Sequence, residues 1–271
     1  MPDAVIVSGA RTAVGKAGRG SLRFSRPDDL AAETIKEILR RTPGLDPAAI
    51  DDVIFGTAMP EREQGFNLAR IVSQQAGLPD SVPAVTVNRF CSTGLQTISM
   101  AAERIMAGGA DIILAGGVES MSFLPFNASM RMSPNPGLAD NNPDAYLSMG
   151  LTAENVAHQF NISREDSDEF AYQSHMKALA AIDAGNFKDE IFPFPLKGEI
   201  PDGHGGFMTQ DSVFEVDEGP RRDTTTEALS QLRPVFKVKG QVTAGNSSQT
   251  SDGAAGVLVM SDKKADELGL R

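Results

Sequence analysis

Residues 82–102 read V-P-A-V-T-V-N-R-F-C-S-T-G-L-Q-T-I-S-M-A-A, and the fold is decided there. Residues 83–87 form a short apolar run with β-branched Val85, Thr86 and Val87, the composition of a strand. From Ser92 onward Leu95, Ile98, Ala102 and Ile105 share one side of a helical wheel. That spacing predicts a helix over 92–107, stopped by Gly108 and Gly109. Between strand and helix sits Cys91, the single cysteine of the chain. A thiol in the first turn of a helix faces unpaired backbone N–H groups and the positive end of the helix dipole. Helix starts of this kind favour the thiolate, which is the nucleophilic form. The competing reading is a small buried hydrophobe, the common fate of a free cysteine. Ser92, Thr93 and Gly94 are small, so an acyl group has room to approach and an amide is free to stabilise an oxyanion.

Working outward, residues 4–7, 53–55 and 111–115 are further short runs rich in Val and Ile. Most are apolar at successive positions, as expected of parallel strands covered on both faces. Helical patterns separate them. Residues 28–40 place Leu30, Thr34, Ile35, Ile38 and Leu39 on one side, and 67–76 place Leu68, Ile71 and Val72 on one side. Strand alternating with helix implies right-handed βαβ units. The expected fold is α/β, a mixed and mainly parallel sheet sandwiched by helices.

Beyond residue 118 the rhythm breaks. Residues 122–148, with Pro125, Pro134, Pro136 and Pro143, read as loop. Helices are expected over 151–160 and 163–184, the second opening on S-R-E-D, close to a capping box. Residues 192–225 read as irregular, and 228–232 as a short helix. Strand character returns at 254–260, followed by a helical segment at 263–268 that stops at Gly269. The expected organisation is a core domain made of 1–117 and 243–271, interrupted by a loop-rich α-helical excursion over 118–242.

Composition narrows the function. The formal charge of −11 argues against general nucleic-acid binding, and its plainest meaning is solubility. A single cysteine excludes an internal disulfide framework, and three scattered histidines give no zinc-ligand spacing, so no metal is expected. No apolar run reaches membrane-spanning length, and the start M-P-D-A-V-I-V lacks the features of a secretory signal, so a cytoplasmic protein is expected. G-K-A-G-R-G (15–20) has the spacing of neither a P-loop nor a dinucleotide fingerprint. D-G-H-G-G-F (202–207) resembles the oxyanion loop of some esterases, but no G-x-S-x-G elbow accompanies it. His158 and His175 fall within helical patterns and read as ordinary helix residues.

Several strings occur in order: A-V-I-V-S-G-A-R-T-A-V-G-K (4–16), N-R-F-C-S-T-G-L-Q (88–96), A-G-G-V-E-S-M-S (115–122), M-G-L-T-A-E-N-V-A (149–157) and G-Q-V-T-A-G-N-S-S-Q-T-S-D-G-A-A (240–255). Together they resemble the thiolase family. G-F-N-L-A-R (65–70) and S-V-P-A-V-T-V-N-R (81–89) look closer to degradative 3-ketoacyl-CoA thiolases than to biosynthetic acetoacetyl-CoA thiolases. The resemblance implies that Cys91 is the nucleophile that carries the acyl group, its own amide contributing to an oxyanion hole. It implies that the excursion covers coenzyme A and carries a tetramerisation segment. Arg221 would lie beside the adenine and phosphate end of coenzyme A. Ser248 would bond the pantetheine arm, Ala244 and Gly245 would line that channel, and Met149 would form its wall. Coenzyme A enters as substrate, with no tightly bound cofactor, and the full-length protein would be a homodimer or homotetramer.

The family also carries an Asn in N-E-A-F, a His in G-H-P and a second Cys in C-x-G-G-G, and none of these strings occurs here. The expectation is therefore an N-terminal half plus loop domain, with the C-terminal thiolase domain absent, and no turnover by these 271 residues alone. Other readings are an acetoacetyl-CoA-forming acetyl-CoA acetyltransferase, a ketoacyl-ACP synthase-like condensing enzyme, and a non-catalytic acyl-CoA-binding fragment. The condensing enzyme would want a basic rim for its acidic carrier, and T-A-G-N-S-S (243–248) disfavours it.

Overall fold

The computed structural model describes residues 2–124 and 133–270, so the loop expected at 122–148 lies partly outside the described residues, Pro125 included, and within the described part Pro136–Asn141 is helical rather than loop. The chain divides into two compact units: Met1–Ala128 with Phe187–Glu218 and Thr250–Arg271, and Ser129–Asn186 with Gly219–Gln249.

The first unit is built on a mixed six-stranded sheet. Its strands are β1 (Ala4–Arg11), β2 (Gly15–Lys16), β3 (Asp52–Gly56), β4 (Ala84–Val87), β5 (Ile112–Ser120) and, late in the chain, β8 (Ser251–Ser261). The order is β1-β8-β5-β3-β4, with β2 also paired to β8. β3 runs parallel to β4 and β5, whereas β8 is antiparallel to β1, β2 and β5, so β8 alone is reversed. Period-two alternation sends Val53 and Phe55 to one face of β3 and Ile54 to the other. On the first face lie α1 (Pro27–Arg40) and α2 (Leu68–Gln75), whose Leu30, Ile35, Ile38, Leu68 and Val72 complete the larger core. On the second lies α3 (Thr93–Met106), whose Ala101 and Ile105 meet Ile54, Ile113 and Val259. Both faces of β3 are therefore covered, which is why D-V-I-F-G is buried throughout. Full burial of each large side chain contributes roughly 1.5–3 kcal/mol.

Two expectations need correction. The buried side of α3 is Thr93, Thr97, Ala101 and Ile105, while Leu95 is 74% exposed. Small residues face the sheet because the helix start lies directly on it, at glycines described below. The supposedly irregular stretch 192–225 contains a β-hairpin, β6 (Phe194–Pro201) paired antiparallel with β7 (Phe207–Phe214). The glycines and Asp202 that read as loop are its turn, where Asp202 Oδ1 accepts the N–H groups of His204 (2.8 Å) and Gly206 (2.9 Å). Phe192, Phe194, Leu196 and Phe214 enter the first unit's core. Arg11 secures this segment, pairing bidentately with Asp217 (2.7 and 2.9 Å) and through Nε with Glu190 (2.7 Å). α8 (Asp262–Leu268) closes the chain at Gly269, whose φ of +66° is a left-handed cap.

The second unit is helical: α4 (Pro136–Asn141), α5 (Met149–Gln159), α6 (Arg164–Asp183) and α7 (Thr226–Ser230). The capping box at α6 forms. Ser163 Oγ accepts the Asp166 N–H at 3.0 Å, and Asp166 Oδ2 accepts the Ser163 N–H at 3.2 Å.

Candidate active site

The strand β4 ends at Val87, and the chain turns through Asn88, Arg89, Phe90 and Cys91 into α3. Hydrogen bonds define the turn. Asn88 Oδ1 accepts the Phe90 N–H at 2.8 Å, an Asx-turn. Thr93 Oγ1 donates to Phe90 O at 2.6 Å and accepts the Arg89 N–H at 2.8 Å. Ser92 Oγ donates to Arg89 O at 2.8 Å. Phe90 has φ +47°, a left-handed conformation that costs a bulky residue roughly 1–2 kcal/mol. Cys91 is exposed. It lies just before the N-cap, Ser92, rather than in the first turn, because the left-handed step at Phe90 delays the helix to Thr93. Cys91 is bridged to Arg89, while the amides of Gly94 and Leu95 have no acceptor among the described residues. An exposed thiol followed by free N–H groups at the helix start suits attack on a carbonyl whose oxygen takes up negative charge.

Glycines bring the helix start onto the strand ends. A Cβ on Gly56 would strike Thr93 Cγ2 and lie 2.6 Å from Val87 O, and one on Gly117 would lie 3.1 Å from Gly56 O. Around them the motif A-G-G-V-E-S-M-S folds into two carboxylate networks. Glu119 Oε2 accepts the Ala58 N–H (2.7 Å) and Thr57 Oγ1–H (3.1 Å), and Oε1 accepts from Gln64 Nε2 (2.6 Å). Buried Asp252 accepts from Ser120 Oγ (3.1 Å), the Ser122 N–H (2.9 Å) and Ser122 Oγ (2.5 Å). Residues 115–122 and 240–255, distant in sequence, are thus joined through one side chain.

The other expected site residues belong to the second unit. Met149 is the first residue of α5 and is 63% exposed. Arg221 is exposed and pairs with Asp223 (3.0 Å), and its backbone N–H donates to His175 Nδ1 (3.1 Å). The hydrogen bond to Asp223 raises the Arg221 guanidinium above its ordinary range, and the same bond holds the Asp223 carboxyl below the usual carboxylate range. Ala244, Gly245 and Ser248 share one loop, with Ala244 and Ser248 exposed. Thr243 Oγ1 accepts the N–H groups of Gly245 (3.1 Å) and Asn246 (3.2 Å), and Asn246 Nδ2 donates to buried Asp168 (2.9 Å). A Cβ on Gly245 would strike the side-chain ends of Leu229 and Leu232, so a larger residue there would displace those leucines. Buried Glu154 accepts the Gln241 and Val242 N–H groups, each at 2.9 Å. The second unit therefore gathers Ala244, Gly245 and Ser248 on one braced loop, while Cys91 sits on the first. The bracing residues Asn88, Glu119, Gln64, Glu154, Asp168 and Asp252 were not singled out from sequence. Four of them, Asn88, Glu119, Glu154 and Asp252, lie inside the quoted strings, which was the available signal.

The model of the thiolase N-terminal domain matches residues 4–263. The chain belongs to the thiolase family. A 3-ketoacyl-CoA thiolase of Bacillus subtilis (strain 168) is 55% identical over 271 residues, covering 100% of this chain and 68% of the relative. One from Pseudoalteromonas translucida is 46% identical, covering 100% of this chain and 67% of the relative. Among solved structures, the dimeric peroxisomal thiolase of Saccharomyces cerevisiae superposes with TM-score 0.88 at 39% identity, over 99% of this chain and 67% of that one. The Bacillus anthracis acetyl-CoA acetyltransferase superposes with TM-score 0.84 at 36% identity, over 100% and 68%. The thiolase fold expected from sequence is thus the fold observed. Among the described residues, no helix is long and apolar enough to cross a membrane.

Proposed function

We propose that this thiolase chain carries the nucleophilic half of a 3-ketoacyl-CoA thiolase, with Cys91 forming the acyl-enzyme. The observation that carries the reading is the exposed Cys91 thiol on a hydrogen-bonded turn, followed at the helix start by the Gly94 and Leu95 amides, which have no acceptor among the described residues. In the degradative direction the Cys91 thiolate attacks the ketone carbon of a 3-ketoacyl-CoA. The resulting oxyanion is stabilised by the turn amides and collapses with cleavage of the bond between C2 and C3. The electron pair leaves on acetyl-CoA as its enolate, which takes a proton, and the acyl group stays on sulfur as a thioester. Coenzyme A then attacks that thioester, its thiol proton passing to a base, and releases the shortened acyl-CoA and free Cys91. Acyl transfer between sulfurs is close to balanced in free energy, so the cycle runs in either direction.

Met149, Arg221, Ala244, Gly245 and Ser248 are proposed to hold coenzyme A, with the second unit, Ser129–Asn186 and Gly219–Gln249, as the covering excursion and the first unit as the core. Coenzyme A is a substrate in this scheme and no resident cofactor takes part. A homodimer or homotetramer in the cytoplasm is the proposed setting, supported by the dimeric yeast neighbour and the bacterial relatives. The degradative sub-type is supported by relatives at 45–55% identity that are named 3-ketoacyl-CoA thiolases. The histidine and second-cysteine motifs do not occur within these 271 residues, so the chemistry expected of them is acylation without turnover. The test is incubation with acetoacetyl-CoA, acid quench and intact-mass measurement. One acyl adduct per chain, absent in Cys91→Ala, is the expected result. Sustained thiolysis, or an adduct that survives Cys91→Ala, would refute it.

A further inference from the structure

Three strand ends meet where Cys91 emerges, and beyond the last ladder pairs, Gly56 with Val87 and with Gly117, side chains tie the loops together. Glu119 is the penultimate residue of β5, and its Oε2 accepts the Ala58 N–H in the loop after β3 (2.7 Å). The Ala58 carbonyl in turn accepts from Asn88 Nδ2 in the turn after β4 (3.0 Å). The other end of the Asn88 amide accepts the Phe90 N–H (2.8 Å), which spans the left-handed step immediately before Cys91. Buried Gln64 locks the base of the relay. Its Nε2 donates to Glu119 Oε1 (2.6 Å), Thr57 Oγ1 (2.7 Å) and Met59 O (2.9 Å), while its Oε1 accepts the Ser120 N–H (2.6 Å). Asn88 is bonded at both ends, so its amide plane is fixed, and with it the peptide that leads into Cys91.

We infer that Asn88 and Glu119 are positioning residues for the nucleophile, acting in series through Ala58 to hold Phe90 left-handed and so align the Cys91 thiol with its free amides. The inference rests on the proposed acyl transfer at Cys91 for its kinetic consequence, but the relay is open to measurement without it. The physical reason for a relay is that a left-handed phenylalanine is unfavourable by itself. Asn88 is exposed, so its two hydrogen bonds rather than packing act on that conformation, alongside the bonds of Ser92 and Thr93 within the turn. Glu119 fixes the far anchor, since an Ala58 peptide free to rotate would not present its carbonyl to Asn88.

The test compares the wild-type chain with Asn88→Ala, Asn88→Ser and the near-isosteric Glu119→Gln, each first shown to be folded by circular dichroism and a thermal midpoint. Two rates at Cys91 are measured: alkylation by iodoacetamide, which needs no oxyanion hole, and acylation by acetoacetyl-CoA, which does. Loss of alignment slows acylation by about 10- to 100-fold in Asn88→Ala. Alkylation changes less than threefold, and Asn88→Ser recovers part of the loss because a serine hydroxyl can accept the same N–H more weakly. Glu119→Gln touches neither Asn88 nor Cys91, yet it raises hydrogen exchange in the 88–94 peptide. Unchanged exchange there in Glu119→Gln, or equal slowing of alkylation and acylation, overturns the inference. If the wild-type chain is alkylated but never acylated, while Glu119→Gln still loosens 88–94, the relay stands and the acyl-transfer reading falls.

Discussion

Replacing Gly56 with alanine isolates the packing that sets Cys91 at the end of the sheet. The new methyl would strike Thr93 Cγ2 and lie 2.6 Å from the Val87 carbonyl oxygen. Val87 O is backbone in β4, paired in register with Gly56 itself, so it cannot withdraw without disturbing the parallel ladder. Thr93 cannot rotate away cheaply either. Its Oγ1 makes two bonds of the nucleophile turn, to Phe90 O and from the Arg89 N–H. The mutant must therefore either move the α3 start or give up those bonds. Overpacking of this kind costs about 1–3 kcal/mol, and each lost hydrogen bond adds about 0.5–1.5 kcal/mol. With both bonds lost, a total of roughly 2–6 kcal/mol is expected from these terms.

Urea unfolding gives the stability, and the second variant tests the cause. Thr93→Ser deletes Cγ2 but keeps Oγ1, so in Gly56→Ala/Thr93→Ser the worse contact disappears while the one with Val87 O remains. The double mutant should recover about 1 kcal/mol or more relative to additivity, a coupling typical of residues in contact. A wild-type urea midpoint for Gly56→Ala would refute the packing argument. Strict additivity of the two substitutions would show that Thr93 is not what the methyl meets.

Other outcomes follow from the same structure. Burial by itself would raise the Asp217 carboxyl, but the hydrogen bonds from Arg11 and the Val14 N–H outweigh it and hold the group below the usual carboxylate range. A depressed folded-state value stabilises the protein above the unfolded carboxylate pKa of about 3.9, and that contribution is lost as pH falls through the folded value. Asp217→Asn should therefore lower stability by about 1–3 kcal/mol at neutral pH and flatten the acid limb of a urea-midpoint-against-pH curve. An unchanged acid limb would contradict the assignment. Glu154→Gln sets an amide NH2 against the half-buried Gln241 N–H, or in the other orientation against both the Gln241 and the buried Val242 N–H, at an expected cost of about 1–3 kcal/mol. Hydrogen exchange over residues 240–248 should rise in that variant, and protection equal to wild type would count against the bracing role.

How much of this was legible in the sequence depends on how each feature is encoded. β3 is covered on both faces, so it reads as unbroken V-I-F, and β5 beside it follows the same rule, whereas β4 at the sheet edge is apolar in sequence but leaves Val85 exposed. The α6 cap and the stop at Gly269 rest on local chemistry within four residues, and both appear where that chemistry places them. The β6–β7 hairpin was missed because its exposed length carries little hydrophobic alternation. Only Phe194, Leu196 and Phe214 are buried, and the glycine-rich turn looks like loop from either side. The α3 face was misread because helical periodicity locates an apolar stripe. This helix buries small residues at Thr93 and Thr97 where glycines bring the sheet close, so Leu95 is turned outward.

The site itself shows the same division more sharply. Cys91 was legible because a thiol between a strand and a helix is a local statement. Its placement one residue before the cap was not, since nothing about a phenylalanine announces a positive φ. That conformation is held within the turn by Thr93 and from outside by Asn88, Ala58 and Glu119, residues up to 61 positions apart whose bonds run from side chain to backbone. Contacts of that type have no period, and they obey no composition rule. A carboxylate at Glu119 and an amide at Asn88 are chemically ordinary until the fold brings Ala58 between them. The geometry that makes the thiol useful is therefore distributed over three strand ends. A substitution at Glu119, which touches neither the thiol nor its turn, becomes informative about Cys91 for that reason.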